Sequence, residues 1–301
     1  MGLVGESGCG KTTIAKSILK LLPSNGEIME GKIVFKGRDI RLCSHDELRN
    51  IRWKEISYIP QNAMNSLNPV VKVFDQIFEA ILAHTKMKRE EARGVARRLF
   101  KRMGLRQEVL EHYPHELSGG MKQRVVMAMA LVLDPSLVIA DEPVTGLDLL
   151  TQDRILRWID ELHEKFDLSM IYISHNVSVV AERCNKVAVM YAGQIVEFGE
   201  ADQVFSKPKS PYFIGLINAI PKIGIQEKLI SIPGQPPNLI NPPKGCRFND
   251  RCPFSKDICF EEEPQLVQAD DGCFVRCHFM GNCKEFRKSA RREATWQKKS
   301  A

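Results

Sequence analysis

The sequence lacks both a long hydrophobic run and a secretion signal. Its longest purely apolar stretch, residues 125–133, is nine residues long, whereas a membrane-spanning helix needs about 20. The first residues do not place a basic segment before an apolar one, as a signal peptide would, and no solenoid-type repeat occurs. With 44% hydrophobic and 27% charged residues, the chain has the composition of a globular protein. We therefore predict a cytosolic protein that spans no membrane by itself.

Net charge and cysteine are unevenly distributed along the 301 residues. The segment 284–301 holds seven Lys or Arg and two Glu, which is +5 of the net charge of +6. We expect this tail to be a solvated terminus, and the nearly neutral remainder not to bind nucleic acid. Six of the nine cysteines lie between 246 and 283. In a reducing compartment such a cluster indicates a metal site more often than disulfides.

Short apolar runs alternate with helical patterns as far as about residue 205, which predicts an α/β fold with a parallel sheet. The predicted strands are Ile33–Phe35, Ile56–Ile59, Leu137–Ala140, Met170–Ile173, Val187–Tyr191 and Ile195–Phe198. A helical pattern runs from Ile14 to Leu22 and stops at Pro23. Eight prolines between 208 and 243 predict an extended connector that leads to the cysteine cluster.

A phosphate-binding motif opens the chain. The Walker A pattern occurs in Gly5-Glu6-Ser7-Gly8-Cys9-Gly10-Lys11-Thr12-Thr13, between a strand and a helix. Its glycines let successive N–H groups face the phosphates at the N-terminus of the helix. In this motif the lysine reaches the β- and γ-phosphates, and the hydroxyl of Thr12 binds Mg²⁺.

Two acidic residues supply the second half of a nucleotide site. Asp141 and Glu142 follow the apolar strand Leu137–Ala140, at the end of a parallel strand where ligands of α/β proteins bind. The pattern predicts that Asp141 holds Mg²⁺ through water. Glu142 then orients and deprotonates the water that attacks the phosphate.

With these motifs in place, the sequence resembles the ATP-binding subunits of ABC transporters. Leu117-Ser118-Gly119-Gly120 matches the signature motif of that family, Gln61 its Q-loop, Gly146-Leu147-Asp148 its D-loop, and His175 its switch histidine. The resemblance implies a RecA-like P-loop NTPase core in residues 1–205, with a helical subdomain at about 63–134. It implies that Gln61 contacts Mg²⁺ or the attacking water, and that His175 contacts the γ-phosphate. Ser118, Gly119, Gly120 and Asp148 would serve the ATP held by a second subunit in a head-to-tail dimer.

The resemblance narrows to ATPase subunits of oligopeptide and dipeptide importers, a group that includes nickel-import relatives. It rests on the segment 60–69, on Ser210-Pro211-Tyr212 and on residues 232–237. It implies a C-terminal extension at 206–283, a heterodimer with another ATPase, two membrane permeases and an external solute-binding protein. The chain would then lie peripherally on the cytoplasmic face of the membrane. The alternatives are an importer of nickel or another solute, and a soluble ABC ATPase without a transport role.

The cysteine cluster has a spacing similar to one that ligates a [4Fe–4S] cluster in these importers. Cys246, Cys252, Cys259 and Cys277 follow the pattern C-x5-C-x6-C-x17-C, and four thiolates suffice for such a cluster. Structural zinc is the alternative, although its usual C-x2-4-C pairing occurs in this segment between Cys273 and Cys277 alone. Either Cys273 or Cys283 could replace Cys277 as a ligand.

The start of the chain departs from the family pattern. Relatives carry a strand-rich segment and an adenine-stacking aromatic residue before the phosphate loop, whereas four residues precede Gly5 here. We expect the sequence to be a truncated or mis-started reading of a longer protein.

Overall fold

The computed structural model describes residues 1–166, 168–220, 229–269 and 271–297. Its strands are β1 Gly2–Val4, β2 Val34–Phe35, β3 Arg38–Asp39, β4 Ile56–Ile59, β5 Leu137–Asp141, β6 Ser169–Ser174, β7 Lys186–Tyr191, β8 Gln194–Glu200, β9 Leu266–Gln268 and β10 Phe274–Arg276. Its α-helices are α1 Lys11–Ile18, α2 His45–Ile51, α3 Val73–Leu82, α4 Arg89–Arg102, α5 Gly119–Leu131, α6 Leu149–Phe166, α7 Val177–Arg183, α8 Ala201–Ser206, α9 Pro211–Asn218, α10 Ile258–Glu261, α11 Cys283–Ser289 and α12 Glu293–Gln297.

The chain divides into two compact units, and the first combines residues 1–11 with residues 172–301. Here β1 lies between two parallel neighbours, with Val4 paired to Ser174 of β6 and to Val189 of β7. Beyond β7 the sheet continues antiparallel through β8, β10 and β9. Strand β1 is buried throughout, as expected for a central strand covered on both faces.

The second unit comprises residues 12–171. Strands β4 and β5 pair in parallel, with Ile56 opposite Leu137 and Ile59 opposite Ala140. Strands β2 and β3 form a separate hairpin. Helix α5 buries most of its side chains, and α3 and α4 each bury one face. Among the residues described in both units, no helix is long and apolar enough to cross a membrane.

Two sequence predictions about helices are wrong. Helix α1 ends at Ile18 rather than continuing to Leu22, because Lys20 adopts a positive φ of 48° and breaks the helical path. The proline-rich connector contains helix α9 and is therefore not extended throughout. Pro211 is the first residue of α9, a position whose N–H has no helical partner, so proline costs nothing there. Pro221 lies outside the described residues.

The basic tail is also not a solvated terminus as far as residue 297. It forms α11 and α12, and Phe286, Ala290 and Trp296 are buried. The indole N–H of Trp296 donates to the carbonyl oxygen of Ala290 at 2.9 Å, and the Asn218 side chain donates to the same oxygen. These apolar residues fold the segment despite its charge. Lys298 and Lys299 lie outside the described residues.

Candidate active site

The phosphate-binding loop of the first unit has a backbone that requires glycine. Gly5, Gly8 and Gly10 have φ values of 156°, 80° and 104°, which side chains rarely tolerate. A Cβ on Gly5 would also collide with the carbonyl oxygen of Met190. At Gly5, where the loop leaves β1, a residue other than glycine therefore does not fit.

Lys11 lies inside this loop. Its side-chain ammonium donates to the carbonyl oxygens of Gly5 at 2.8 Å and Glu6 at 3.0 Å, and the residue is 6% exposed. The thiol of Cys9 lies 3.8 Å from the same nitrogen, and burial raises the pKa of that thiol. The cation is therefore held inside the loop by the backbone carbonyls of Gly5 and Glu6.

Glu6 links the loop to the C-terminal part of the first unit. Its backbone N–H donates to the hydroxyl of Tyr212 at 2.9 Å, and its carboxylate pairs with both terminal nitrogens of Arg251. Sequence reasoning treats Glu6 as a variable position of the motif and misses both partners. No local pattern signals a contact between residues 245 positions apart.

His175 lies beside the start of the loop. It directly follows β6, whose Ser174 pairs with Val4, the residue before Gly5. The imidazole of His175 is exposed. The first unit therefore brings the predicted switch histidine and the phosphate loop to the same end of adjacent parallel strands.

In the second unit, Asp141 ends strand β5 as predicted. The residue is 1% exposed, and its Oδ2 accepts a hydrogen bond from the hydroxyl of Tyr58 at 3.0 Å. Burial, reinforced by the Asp141 charge, raises the pKa of Tyr58. Within the described residues, Oδ1 of Asp141 has no hydrogen-bond partner. A buried, unsatisfied carboxylate oxygen is costly unless a cation or water binds it, and it therefore fits a Mg²⁺ site.

Glu142 and Gln61 are in direct contact in the same unit. The Gln61 amide donates to Oε2 of Glu142 at 3.2 Å, and the hydroxyl of Thr145 donates to the same oxygen at 3.0 Å. Glu142 has a positive φ of 49°, an uncommon conformation for a residue other than glycine. Thr12 and Thr13 lie in the first turn of α1.

The signature and D-loop residues stand at the starts of two helices of the second unit. Ser118 is the N-cap of α5 and accepts from the N–H of Met121 at 3.4 Å, while Gly119 and Gly120 form the first turn. Asp148 precedes α6 and accepts from the N–H of Thr151 at 3.0 Å. Hydrogen bonds from Thr151 lower the pKa of Asp148. Ser118, Gly119 and Asp148 are exposed.

The first unit also brings the four predicted cysteines to one cavity. Cys246, Cys252, Cys259 and Cys277 all line it, and the backbone N–H of Cys246 donates to the carbonyl oxygen of Cys259 at 2.8 Å. Burial raises the pKa of the Cys277 thiol to about 12. Burial, with smaller effects of neighbouring thiols, also raises the pKa values of Cys246 and Cys252.

The other two cysteines of the cluster do not line this cavity. The thiol of Cys273 donates to the side-chain oxygen of Gln203 at 3.3 Å. None of the nine cysteines forms a disulfide. Across the described parts of the chain, no three His, Cys, Asp or Glu side chains stand as a ready group of metal ligands.

Two family models match the chain. The model described as ABC transporter matches residues 1–145, and the model of the oligopeptide/dipeptide transporter C-terminal region matches residues 196–259. The dipeptide transport ATP-binding protein DppD of Caldanaerobacter subterraneus is 43% identical over 279 residues, which are 92% of this chain and 86% of the relative. The oligopeptide transport ATP-binding protein OppD of Escherichia coli is 44% identical over 92% of this chain and 82% of its own length.

Solved structures agree in fold. The ATP-binding cassette MJ0796, in a dimeric post-hydrolysis state with ADP and Pi, matches with a TM-score of 0.57 and 26% identity over 66% of this chain and 84% of that chain. CbiO1 from Clostridium perfringens matches with a TM-score of 0.58 and 26% identity over 71% and 82%. The P-loop NTPase fold expected from the sequence is thereby confirmed. The chain belongs to the ABC transporter family, as an ATPase of the oligopeptide/dipeptide transport group.

Proposed function

We propose that this chain binds and hydrolyses ATP to energise import of dipeptides or oligopeptides through separate membrane permeases. The observation that carries the proposal is the extent of the similarity. Relatives named as dipeptide and oligopeptide transport ATP-binding proteins align with 92% of the chain, including the region after the ATPase motifs that the C-terminal model matches. A soluble ABC ATPase without a transport role does not account for that region.

In this proposal the loop 5–13 binds the phosphates through its N–H groups, and Lys11 moves its charge from loop carbonyls to the β- and γ-phosphates. Thr12, Asp141 and Gln61 would hold Mg²⁺, which supplies positive charge to the phosphate oxygens. The buried Oδ1 of Asp141 supports this assignment, because it is an acceptor without a partner in the described chain.

Glu142 would take the proton from the attacking water. The amide of Gln61 and the hydroxyl of Thr145 both donate to its Oε2, which holds the carboxylate in a fixed orientation for proton transfer. His175 would donate to the γ-phosphate from the end of β6.

Further proposals concern assembly. The exposure of Ser118, Gly119 and Asp148 suits contact with ATP of a second ATPase subunit, which we expect to be a different polypeptide. Two permeases and an external solute-binding protein complete the transporter, the chain lies on the cytoplasmic face of the membrane, and nucleic acid is not a partner.

We assign residues 1–205 to the ATPase domain, with a helical subdomain at about 63–134, residues 206–283 to the extension and 284–301 to the tail.

For the cysteine cavity we propose a [4Fe–4S] cluster, with zinc as the alternative. Four thiols on one cavity supply the ligand set that such a cluster needs, and Arg247 and Arg276 line the same cavity. The thiols would have to draw together on binding. Iron, sulfide and zinc contents of anaerobically purified protein would discriminate between the two. Cys252→Ser is expected to reduce the metal content, whereas Cys273→Ser, outside the cavity, leaves it unchanged.

ATP-dependent peptide uptake tests the function. The chain would be reconstituted with its membrane partners in vesicles and compared with Glu142→Gln and with Glu200→Gln, a change at an exposed carboxylate. We expect Glu142→Gln to bind MgATP and to lose hydrolysis and uptake, and Glu200→Gln to behave as the unchanged protein. Hydrolysis stimulated by ribosomes and indifferent to permeases would contradict the transport function. Uptake of nickel in place of peptides would show that the chain serves a nickel importer, the alternative named above.

A further inference from the structure

Arg251 connects the cysteine-bearing segment 246–252 to the phosphate-binding loop. Its two terminal nitrogens donate to the two carboxylate oxygens of Glu6 at 2.7 and 3.0 Å, and its Nε donates to the carbonyl oxygen of Pro233 at 2.8 Å. The Arg251 side chain is 8% exposed and that of Glu6 25%. A bidentate guanidinium–carboxylate pair fixes the orientation of both partners. The carboxylate of Glu6 is thus held at both oxygens.

Through Glu6, this pair reaches the lysine of the loop. The N–H of Glu6 donates to the hydroxyl of Tyr212 at 2.9 Å, and its carbonyl oxygen accepts from the Lys11 ammonium at 3.0 Å. Side chain, N–H and carbonyl of this one residue are therefore all engaged. Rotation of Glu6 would displace one of the two carbonyls that hold Lys11.

The same segment contacts the loop a second time. Arg247 donates to the carbonyl oxygen of Ala192 at 2.6 Å, and the next residue, Gly193, donates its N–H to the carbonyl oxygen of Cys9 at 2.9 Å. Two arginines of one short segment therefore support the loop, one directly at Glu6 and the other through the turn at 192–193.

Aromatic rings hold Arg251 in place. Its guanidinium lies 5.7 Å from the ring centre of Tyr191 and 5.9 Å from that of Phe248, and both rings pack against Tyr212 at 4.5 and 5.4 Å. These three rings also line the cysteine cavity. The wall of the cavity and the support of the loop are made of the same side chains.

We propose that Arg251 is a positioning residue for nucleotide binding, which holds Glu6, and through it Lys11, in the orientation that binds ATP. The proposal rests on the proposed function, since it concerns the same ATP site. It makes ATP affinity depend on the segment 246–252, although that segment contains no residue of the nucleotide-binding motifs.

MgATP binding to the full chain, measured by calorimetry, tests the proposal. Arg251→Met keeps the length of the side chain and removes its charge, and we expect about tenfold weaker binding, equivalent to about 1.4 kcal/mol. Arg251→Lys keeps the charge but loses the two-nitrogen fork, so its affinity for MgATP should lie between that of the unchanged protein and that of Arg251→Met. The matched control is Arg276→Met: Arg276 lines the same cavity but bonds to Ile195, Glu263 and Pro264, and its loss should leave binding unchanged.

A double-mutant cycle with Glu6→Gln separates positioning from general damage. If Arg251 acts through Glu6, the double variant binds MgATP no more weakly than Arg251→Met alone. Additive losses, unchanged binding by Arg251→Met, or equal losses in Arg251→Met and Arg276→Met would each overturn the proposal. Should Arg251→Met fail to fold, the comparison of Arg251→Lys with Glu6→Gln decides, since both must weaken binding. If the unchanged chain does not bind ATP, the proposed function itself fails.

Discussion

Glu197 predicts a specific pH dependence of stability. Its side chain in β8 is fully buried, accepts the N–H of Lys209 at 2.8 and 3.1 Å and accepts the N–H of Ser210 at 2.8 Å. Burial raises its pKa from 4.5 to about 7, although the N–H groups and the charge of Lys209 oppose the shift and Asp271 adds to it. The folded protein therefore favours the neutral acid far more than the unfolded chain does.

The size and sign of the effect follow from these two pKa values. Below pH 4.5 the carboxyl group of Glu197 is neutral in both the folded and the unfolded protein, so its ionisation does not reduce the free energy of unfolding. As the pH rises through about 7, the folded protein must accommodate a buried anion, and stability is lost. The interval from 4.5 to about 7, at about 1.4 kcal/mol per pH unit, corresponds to about 3 kcal/mol.

Denaturant unfolding between pH 4 and pH 8 measures this loss. We compare the unchanged protein with Glu197→Gln, which stays neutral, and with Glu200→Gln on the same strand, where Glu200 is 55% exposed and 3.5 Å from Lys186. The free energy of unfolding of the unchanged protein should fall by about 3 kcal/mol relative to Glu197→Gln across this range, and Glu200→Gln should follow the unchanged protein. Parallel curves for the unchanged protein and Glu197→Gln would refute the reasoning.

Three further substitutions test individual contacts by their effect on the free energy of unfolding. Tyr58→Phe removes the donor to the buried carboxylate of Asp141 and should cost about 1–3 kcal/mol; an unchanged denaturation midpoint would contradict the contact. Gly215→Ala places a Cβ against the ring of Trp296 and should cost about 1–3 kcal/mol, whereas Gly281→Ala, which meets no neighbour within 4 Å, serves as the control. Trp53→Phe removes the 2.7 Å hydrogen bond from the indole N–H to the carbonyl oxygen of Met129 and should cost about 1 kcal/mol; a more stable variant would argue against that bond.

Features encoded in neighbouring residues were predictable from the sequence. Strand β4 spans the four residues that its apolar run predicts, and Asp141 and His175 stand at strand ends as expected. These elements are bounded by local signals, such as Pro60 after β4. Helix α9 was missed because proline counts alone do not distinguish a first helical position from an interior one. Strands β9 and β10 are only three residues long and depend on pairing with each other and with β8.

The contacts that shape the candidate site were not predictable, because they join distant positions. Tyr58 and Asp141 are 83 residues apart, and Glu6 and Arg251 are 245 apart. Neither pair produces a periodic pattern, and each depends on how strands and loops are arranged in space. The sequence names Cys277 as the fourth cysteine of the cluster but leaves Cys273 and Cys283 as alternatives, and the structure places Cys277 at the cavity.

These long-range contacts make the phosphate loop part of a larger structure. Met190 and the turn at 192–193, which precede residue 205 in the sequence, contact the loop. Tyr212 and Arg251, which follow residue 205, contact it as well. Glu197 in turn binds the backbone just before α9, the helix that carries Tyr212. A chain ending at residue 205 would keep every nucleotide-binding motif and yet leave Glu6 without its hydroxyl and guanidinium partners. Residues beyond 205 thus supply two of the side chains that hold Glu6 in the loop.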